Sequence, residues 1–333
     1  MKKVAIIGCG GIAQVHAWSI NQLEQVRLIA CADPKTERAE QLSRKFTAGQ
    51  AVVYPDLKSL LADSKPDVVH ICTPHSLHVP LAIEALNQGC HVFMEKPAAI
   101  NREEFRALYE AGAHSGQKMG FCFQNRYNET TKVLDRIVSE NKQGNLLGAR
   151  AFVTWRRDEA YYSDDWHGRL DTEGGGVLIN QSIHTLDLLL RYLGHPTNIE
   201  ASMSNHHLKG SIEVEDTLEA WMEFEGDRRA CFYASTGYAT DAPVILDLSF
   251  EKGHASMMGQ TITVIEPGKE PRVISCDTAP GKGKAYWGNG HLTCIQDFYS
   301  HLEQDTPFQN DITGIQNTME TTLRIYEKAR KKS

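Results

Sequence analysis

Lys96 and His184 are the two side chains of this 333-residue sequence whose neighbours best suit them to proton transfer. Lys96 stands in Glu95-Lys96-Pro97, directly after the apolar run His91 to Met94. A lysine fixed between a strand end and a proline can set its ammonium against a hydroxyl or ketone oxygen and stabilise the negative charge that develops there. Desolvation would lower its pKa towards proton exchange, although a solvated surface lysine is the commoner case. Glu95 is placed either to hold the lysine or to bond a ribose beside it, and both readings stand. His184 follows Gly174-Gly175-Gly176 on a helix predicted from Val177 to Leu193. The i, i+4, i+7 spacing puts Asn180, His184 and Asp187 on one face, while Leu178, Ile183, Leu186, Leu189 and Leu190 supply the packing. Such a polar stripe either finds partners in the core or faces a wet cleft. In the second case His184 is an acid/base on a substrate hydroxyl, and Asn180 orients substrate or imidazole. A third group, Trp155, Arg157, Tyr161, Tyr162, Trp166, His167 and Arg169, interleaves flat rings with donors. It suits the faces and hydroxyls of a sugar, and equally a long ordered loop packed on a sheet or a neighbouring subunit.

The elements that position these groups begin at the first residues. The run Val4 to Ile7 stops at Gly8, Gly10 and Gly11, and Ala13 completes a G-x-G-x-x-A pattern. A buried parallel strand, a tight turn and a helix N-terminus follow from that order, with the pyrophosphate of a dinucleotide at Gly8 to Ile12. A second apolar run, Val26 to Ala32, ends in Asp33, an acid placed to accept from both adenosine ribose hydroxyls. Strand and helix then alternate. Asp56 is a candidate cap, as is Asn101 with Glu104, and strands are expected at Asp67 to Cys72, His91 to Met94 and Lys118 to Phe123. Three markers close these strands: Thr73-Pro74-His75 with His78 beyond, Glu95-Lys96-Pro97, and Gln124-Asn125-Arg126. Ligands of open parallel sheets bind beyond the carboxyl ends of the strands, so all three should line one crevice with the glycine loop. The expected cofactor contacts are therefore Gly8, Gly10, Gly11, Ile12, Asp33, Thr73, Pro74, His75, His78, Glu95, Lys96 and Asn125. The expected substrate contacts are Lys96, Arg126, Trp155, Tyr161, Trp166, Asn180 and His184.

The pattern changes near Gln124. A helix from Glu129 to Ser139 and a strand at Ala149 to Trp155 lead to runs at Leu218–Glu225, Arg229–Ser235, Val244–Glu251 and Thr261–Glu266 that read as a largely antiparallel sheet. A glycine-rich loop, Pro280 to Gly290, precedes two closing helices, His291–Gln304 and Ile312–Arg330. The fold class is thus an α/β Rossmann domain, residues 1–123, followed by an α+β domain with an open sheet, residues 124–333. The last helix is free to pack on either.

Composition narrows the function classes. A net charge of -7 gives no general attraction to nucleic acid. No apolar run is long enough for a bilayer span, and Met1-Lys2-Lys3 runs straight into a strand, so neither membrane nor signal peptide is expected. The eight cysteines are scattered, with no C-x-x-C and no Cys/His ligand spacing. They read as reduced core residues of a cytoplasmic protein without a metal site.

Taken together, the GCGGIA loop, Asp33, TPHSLH, EKP and GGGVLINQSIHTLD resemble the glucose–fructose oxidoreductase/inositol dehydrogenase (Gfo/Idh/MocA) family, and the closing WGNGH (Trp287 to His291) is similar too. The resemblance implies reversible, nicotinamide-linked oxidation of a secondary alcohol on a sugar, inositol or nucleotide sugar, in a homodimer or homotetramer. By the same resemblance Lys96 matches the family's lysine and His184 its catalytic histidine. Many members carry aspartate four residues before that histidine, where this chain has Asn180. Asp33 would repel a 2′-phosphate and favours NAD, while Lys35 and Arg38 leave NADP open. Two rival readings remain: a redox-neutral enzyme in which NAD oxidises and re-reduces a sugar carbon during elimination or hydrolysis, and a non-enzymatic sensor on the same fold.

Overall fold

The computed structural model describes residues 1–276, 289–302, 304 and 306–331. The glycine-rich stretch up to residue 288, including Trp287, lies outside them. The first elements are β1 (Lys2–Ile7), α1 (Gly11–Ile20), β2 (Val26–Ala32), α2 (Thr36–Thr47), β3 (Val52–Tyr54), α3 (Leu57–Ser64), β4 (Val68–Ile71), α4 (His78–Asn87), β5 (His91–Met94), α5 (Arg102–Ser115) and β6 (Met119–Phe121). There follow α6 (Glu129–Glu140), β7 (Leu146–Thr154), α7 (Leu170–Glu173), α8 (Ile183–Leu193), β8 (Asn198–Ser204), β9 (Thr217–Glu223), β10 (Arg229–Ser235), β11 (Ile245–Phe250), β12 (Gly253–Met258), β13 (Thr261–Ile265), β14 (Arg272–Ser275), α9 (Gly290–His301) and α10 (Gln316–Arg330). Among the described residues two units emerge, one from 1–127 and 280–316, the other from 128–279 and 317–333.

In the first unit six parallel strands run in the order β3-β2-β1-β4-β5-β6. The chain reverses direction of travel across the sheet between β1 and β4, the place where such sheets open a ligand crevice. Val4, Ile6, Val68 and Phe93 are fully buried, as near-continuous apolar strands require when helices cover both faces. Both expected caps form: Asp56 Oδ1 accepts from Ser59 N at 2.8 Å, and Asn101 Oδ1 from Glu104 N at 2.8 Å, while Glu104 reaches back to Ile100 N.

The helix that completes this unit comes from the far end of the chain. The expectation gave everything after residue 123 to the second domain, yet α9 belongs to the first unit. The reason is its apolar stripe: Cys294, Ile295, Phe298 and Tyr299 join the core of Val4, Phe93 and Cys122, with Phe93 and Phe298 rings 5.1 Å apart. The last helix, α10, is bonded within the second unit instead. Thr318 donates to Asp187 at 2.6 Å, and Asn317 to Gly194 O at 3.0 Å.

The second unit is an eight-stranded sheet, β14-β13-β12-β11-β7-β10-β9-β8, antiparallel except for the central β7–β10 pair. Residues alternate as a one-sided sheet demands. Leu218, Ala220 and Met222 of β9 are buried, whereas Trp221 between them is 44% exposed. Three strands, β8, β12 and β14, were not among those expected. Among the described residues no helix is long and apolar enough to cross a membrane.

Candidate active site

The glycine turn is built by close approach. Gly8 has φ +83°, and a Cβ there would lie 2.6 Å from the Cys72 carbonyl oxygen of the neighbouring strand end. Asp33 locks the turn: its carboxylate accepts from Cys9 N at 2.8 Å and from Lys35 N at 2.9 Å. Each oxygen keeps acceptor capacity for a hydroxyl. At the start of α1 the cap residue Gly10 has no side chain to satisfy the first N–H groups, and among the described residues no atom beyond its own stretch of chain lies within 4 Å of where a Cβ on Gly10 or Gly11 would be. Thr73 Oγ1 is buried with no hydrogen-bond partner among the described residues. An open, uncapped helix N-terminus with an acid at the next strand end fits a dinucleotide's pyrophosphate and ribose.

The other strand ends of this unit are only partly as expected. Pro74, Lys96 and Asn125 are half-buried, and His75 and Glu95 are buried. The Lys96–Pro97 peptide is cis. His78, expected at the cofactor, is instead a clamp: its Nδ1 lies 2.7 Å from Pro97 O and its Nε2 3.0 Å from Thr73 O. A neutral ring donates to one of these carbonyls, and its other nitrogen faces the second loop. Burial lowers its pKa, against the pull of the two carbonyls. Arg126, expected at the substrate, is also structural. It is buried, and it donates to Gln309 O at 2.7 Å, Asn310 Oδ1 at 3.2 Å and Gly314 O at 3.1 Å. It ties the strand end to the segment following α9.

In the second unit the expected regular helix 177–193 opens with a π-helical turn, Val177–Ser182, before α8 proper. Its cause is a buried carboxylate. Glu215 accepts from Gly176 N at 2.9 Å, Leu178 N at 3.0 Å and the Tyr326 hydroxyl at 2.8 Å, taking up the N–H groups that a regular first turn leaves open. Burial raises the pKa of Glu215, against those bonds. Asn180 and His184, both half-buried, flank the end of this turn. The Asn180 amide donates to Glu173, only 1% exposed, whose other oxygen accepts from Gly168 N at 2.5 Å. A carboxyl group therefore stands one side chain behind position 180. Asp187, on the same helix, accepts from Thr318 of α10 at 2.6 Å.

The aromatic segment divides. Trp155 is 7% exposed, with its indole N–H on Ala242 O at 3.2 Å and the Arg157 guanidinium 5.1 Å from its ring, so it packs where a substrate contact was expected. Tyr161 stays half-buried, its hydroxyl accepting from Gln181 Nε2 at 2.8 Å. Trp166, also half-buried, lies on His167 with ring centroids 3.6 Å apart. No sequence motif pointed to Glu173 or Glu215. Their one signal was an acid directly before, and another well after, the triple glycine.

The comparisons agree with this architecture. Residues 2–122 match the model of the GFO/IDH/MocA oxidoreductase family's NAD-binding Rossmann fold, and residues 131–256 match a GFO/IDH/MocA C-terminal domain. A D-glucoside 3-dehydrogenase of Escherichia coli is 26% identical, with 97% of each chain aligned. The NAD-dependent scyllo-inositol 2-dehydrogenase of Bacillus subtilis is 27% identical over 73% of this chain and 71% of its own. The WlbA dehydrogenase of Bordetella pertussis, solved with NADH and UDP-GlcNAcA, superposes with a TM-score of 0.85 at 23% identity, over 99% of this chain and 97% of its own. With the glycine cradle, Asp33 and the Glu95-Lys96-Pro97 strand end in place, the chain is a member of the Gfo/Idh/MocA family of NAD-dependent oxidoreductases, acting on CH–OH groups.

Proposed function

We propose that this enzyme oxidises a secondary hydroxyl of a sugar, inositol or nucleotide sugar, or reduces the matching ketone. The observation that carries the reading is a half-buried lysine at the end of β5, in the same strand-end crevice as the uncapped glycine turn. When bound, NAD supplies the hydride acceptor. Gly8 to Ile12 hold its pyrophosphate by backbone N–H groups, and Asp33 accepts from the adenosine ribose. Lys96 steadies the oxygen that becomes a carbonyl, and His184 exchanges the hydroxyl proton. Asn180, its amide N–H turned to Glu173, presents its carbonyl oxygen as the acceptor that orients the reacting group. Tyr161 and Trp166 offer ring faces to the substrate. The named relatives support the substrate class, since two act on a glucoside and an inositol.

The open face of the second sheet supports a homodimer or homotetramer. It exposes Trp221 beside Phe152 and Tyr233, an apolar patch that a second copy would cover. The cysteines carry no disulfide, in keeping with a cytoplasmic location. The test is reduced-nicotinamide absorbance with NAD or NADP against glucosides, inositols and nucleotide sugars. NADH formation with one class establishes the reading. Sugar turnover with no net NADH would replace it by the redox-neutral one. Asp33→Ala is expected to lower kcat/KM for NAD by about tenfold or more, as a lost charge-assisted bond to each hydroxyl implies, and to narrow the preference over NADP. An Asp33→Ala enzyme with unaltered NAD kinetics would rule out the ribose contact.

A further inference from the structure

Behind Lys96 four polar side chains from four different elements form one buried line. Glu95 Oε1, just past β5, lies 2.9 Å from His16 Nε2 of α1. His16 Nδ1 lies 2.9 Å from His70 Nδ1 of β4, and His70 Nε2 lies 2.8 Å from the Tyr299 hydroxyl of α9. Both histidines are fully buried, and Phe93 packs against the two rings. So many polar atoms in an apolar core are tolerable only when donors and acceptors match throughout.

One pattern matches them with both rings neutral. The Tyr299 hydroxyl donates to His70 Nε2, His70 Nδ1–H donates to His16 Nδ1, and His16 Nε2–H donates to the Glu95 carboxylate. Reversing the middle bond would set a lone pair of a neutral His16 against the carboxylate. Burial lowers the His70 pKa well below its ordinary value and so favours the neutral chain. The groups that face Glu95 from the surrounding elements are His16, Lys96, His291 of α9, Cys72 beyond β4, His78 of α4, His70 and Cys122 beyond β6, whose sulfur lies within 4.8 Å of the His16 and Glu95 ligand atoms. Asp67 acts on the far end, at Tyr299. Burial alone would push the Glu95 carboxyl up. The hydrogen bond from His16, helped by the neighbouring Lys96, opposes it, and the group is held well below the usual range. Its second oxygen lies 3.3 Å from Lys96 N.

We propose that His16 and His70, backed by Tyr299, are positioning residues that hold Glu95 as a fixed carboxylate beside Lys96, so that the lysine keeps its charge and place during hydride transfer. The inference rests on the assignment of Lys96 made under the proposed function.

Glutamine and leucine at position 16 separate this role from others. A glutamine amide offers an acceptor to His70 and a donor to Glu95, as the neutral ring does, but stores no proton; leucine offers neither. His16→Leu is expected to lower kcat about tenfold or more and to raise the acid limb of its pH profile by about one unit or more, because Glu95 loses the donor that keeps it ionised. His16→Gln is expected to restore both. A second readout needs no substrate: in difference infrared spectra recorded down the acid range, His16→Leu should show the carbonyl stretch of a buried carboxylic acid at a pH where Glu95 of the wild type is still ionised. Wild type, His16→Gln and His16→Leu/Glu95→Gln should lack it. A folded His16→Leu protein with an ionised Glu95 and an unshifted profile overturns the proposal. So does a His16→Gln protein as impaired as the leucine variant, which would make His16 a proton store. Should His16→Leu fail to fold, His70→Leu carries the same readouts, a shift supporting the proposal and its absence overturning it. If no substrate is ever turned over, the reading of Lys96 fails, while the infrared result still decides the state of Glu95.

Discussion

Replacing Lys96 by methionine is expected to cut turnover about a thousandfold and to leave NADH affinity within a few fold. Methionine keeps the length and apolar stem of lysine but cannot donate to an oxyanion or carry charge. Lys96 is half-buried, just past β5, and the fully buried Phe93 and Met94 before it fix the strand on which it rides. Loss of the ammonium should therefore be felt at the reacting oxygen and hardly at all at the glycine turn, whose bonds run from Gly8 and Cys9 to Ala32 and Asp33. Quenching of tryptophan fluorescence by NADH measures the second quantity, and steady-state oxidation of the identified substrate measures the first. A methionine variant with near-normal kcat would remove Lys96 from the chemistry. One that no longer bound NADH would instead make the residue part of the cofactor cradle.

Acid should destabilise the protein well before its carboxylates titrate. His70, His78 and His291 are buried, and burial lowers all three pKa values, that of His291 to about 4. In the unfolded chain each returns to about 6.5. Between those limits the unfolded chain binds protons that the native one refuses, so stability is complete above about pH 6.5 and is lost as pH falls towards the folded values. Each histidine contributes a slope of about 1.4 kcal/mol per pH unit while in that window. Against a total stability of roughly 5–15 kcal/mol, three such groups are enough to dominate the acid limb. Glu95 acts in a lower window: its folded pKa is depressed, so its contribution is present above the usual carboxylate range and fades only in stronger acid. Urea midpoints of the cofactor-free protein should drop steadily from pH 7 to pH 5. A flat profile over that interval would mean that these rings are already charged in the native state.

The parts of this molecule that were legible in the sequence are those with a local physical cause. Val4 to Ala13 declares a strand, a turn and a helix because the glycines mark where backbone must pass backbone, and Gly8 does meet Cys72. Asp56 and Asn101 declare helix starts because a short acceptor three residues before an N–H has few other uses. Arg229–Ser235 declares a strand by its alternation and is one. What escaped was set by residues far apart in the chain. The π-helical turn at Val177–Ser182 depends on Glu215 and Tyr326, which no local pattern connects to it. His78 and Arg126 carry the right chemistry at the right strand ends, but carbonyls of Pro97, Gln309 and Gly314 reach them first. His16 and His70 carry no local signal of each other, and only the fold brings them into contact.

The return of α9 to the first unit bears on the order in which the chain is made. When residues 1–127 have left a ribosome, all six strands of the parallel sheet are present, together with α1 to α5. The surface formed by Val4, Phe93 and Cys122 still lacks Ile295 and Phe298, which are translated only after the entire second sheet. The unit that begins first is thus among the last to be finished, and until then it shows an apolar face to the cell. A nascent chain stalled anywhere before α9 should be a chaperone client, and one released at residue 127 should be prone to aggregate despite carrying a whole dinucleotide motif.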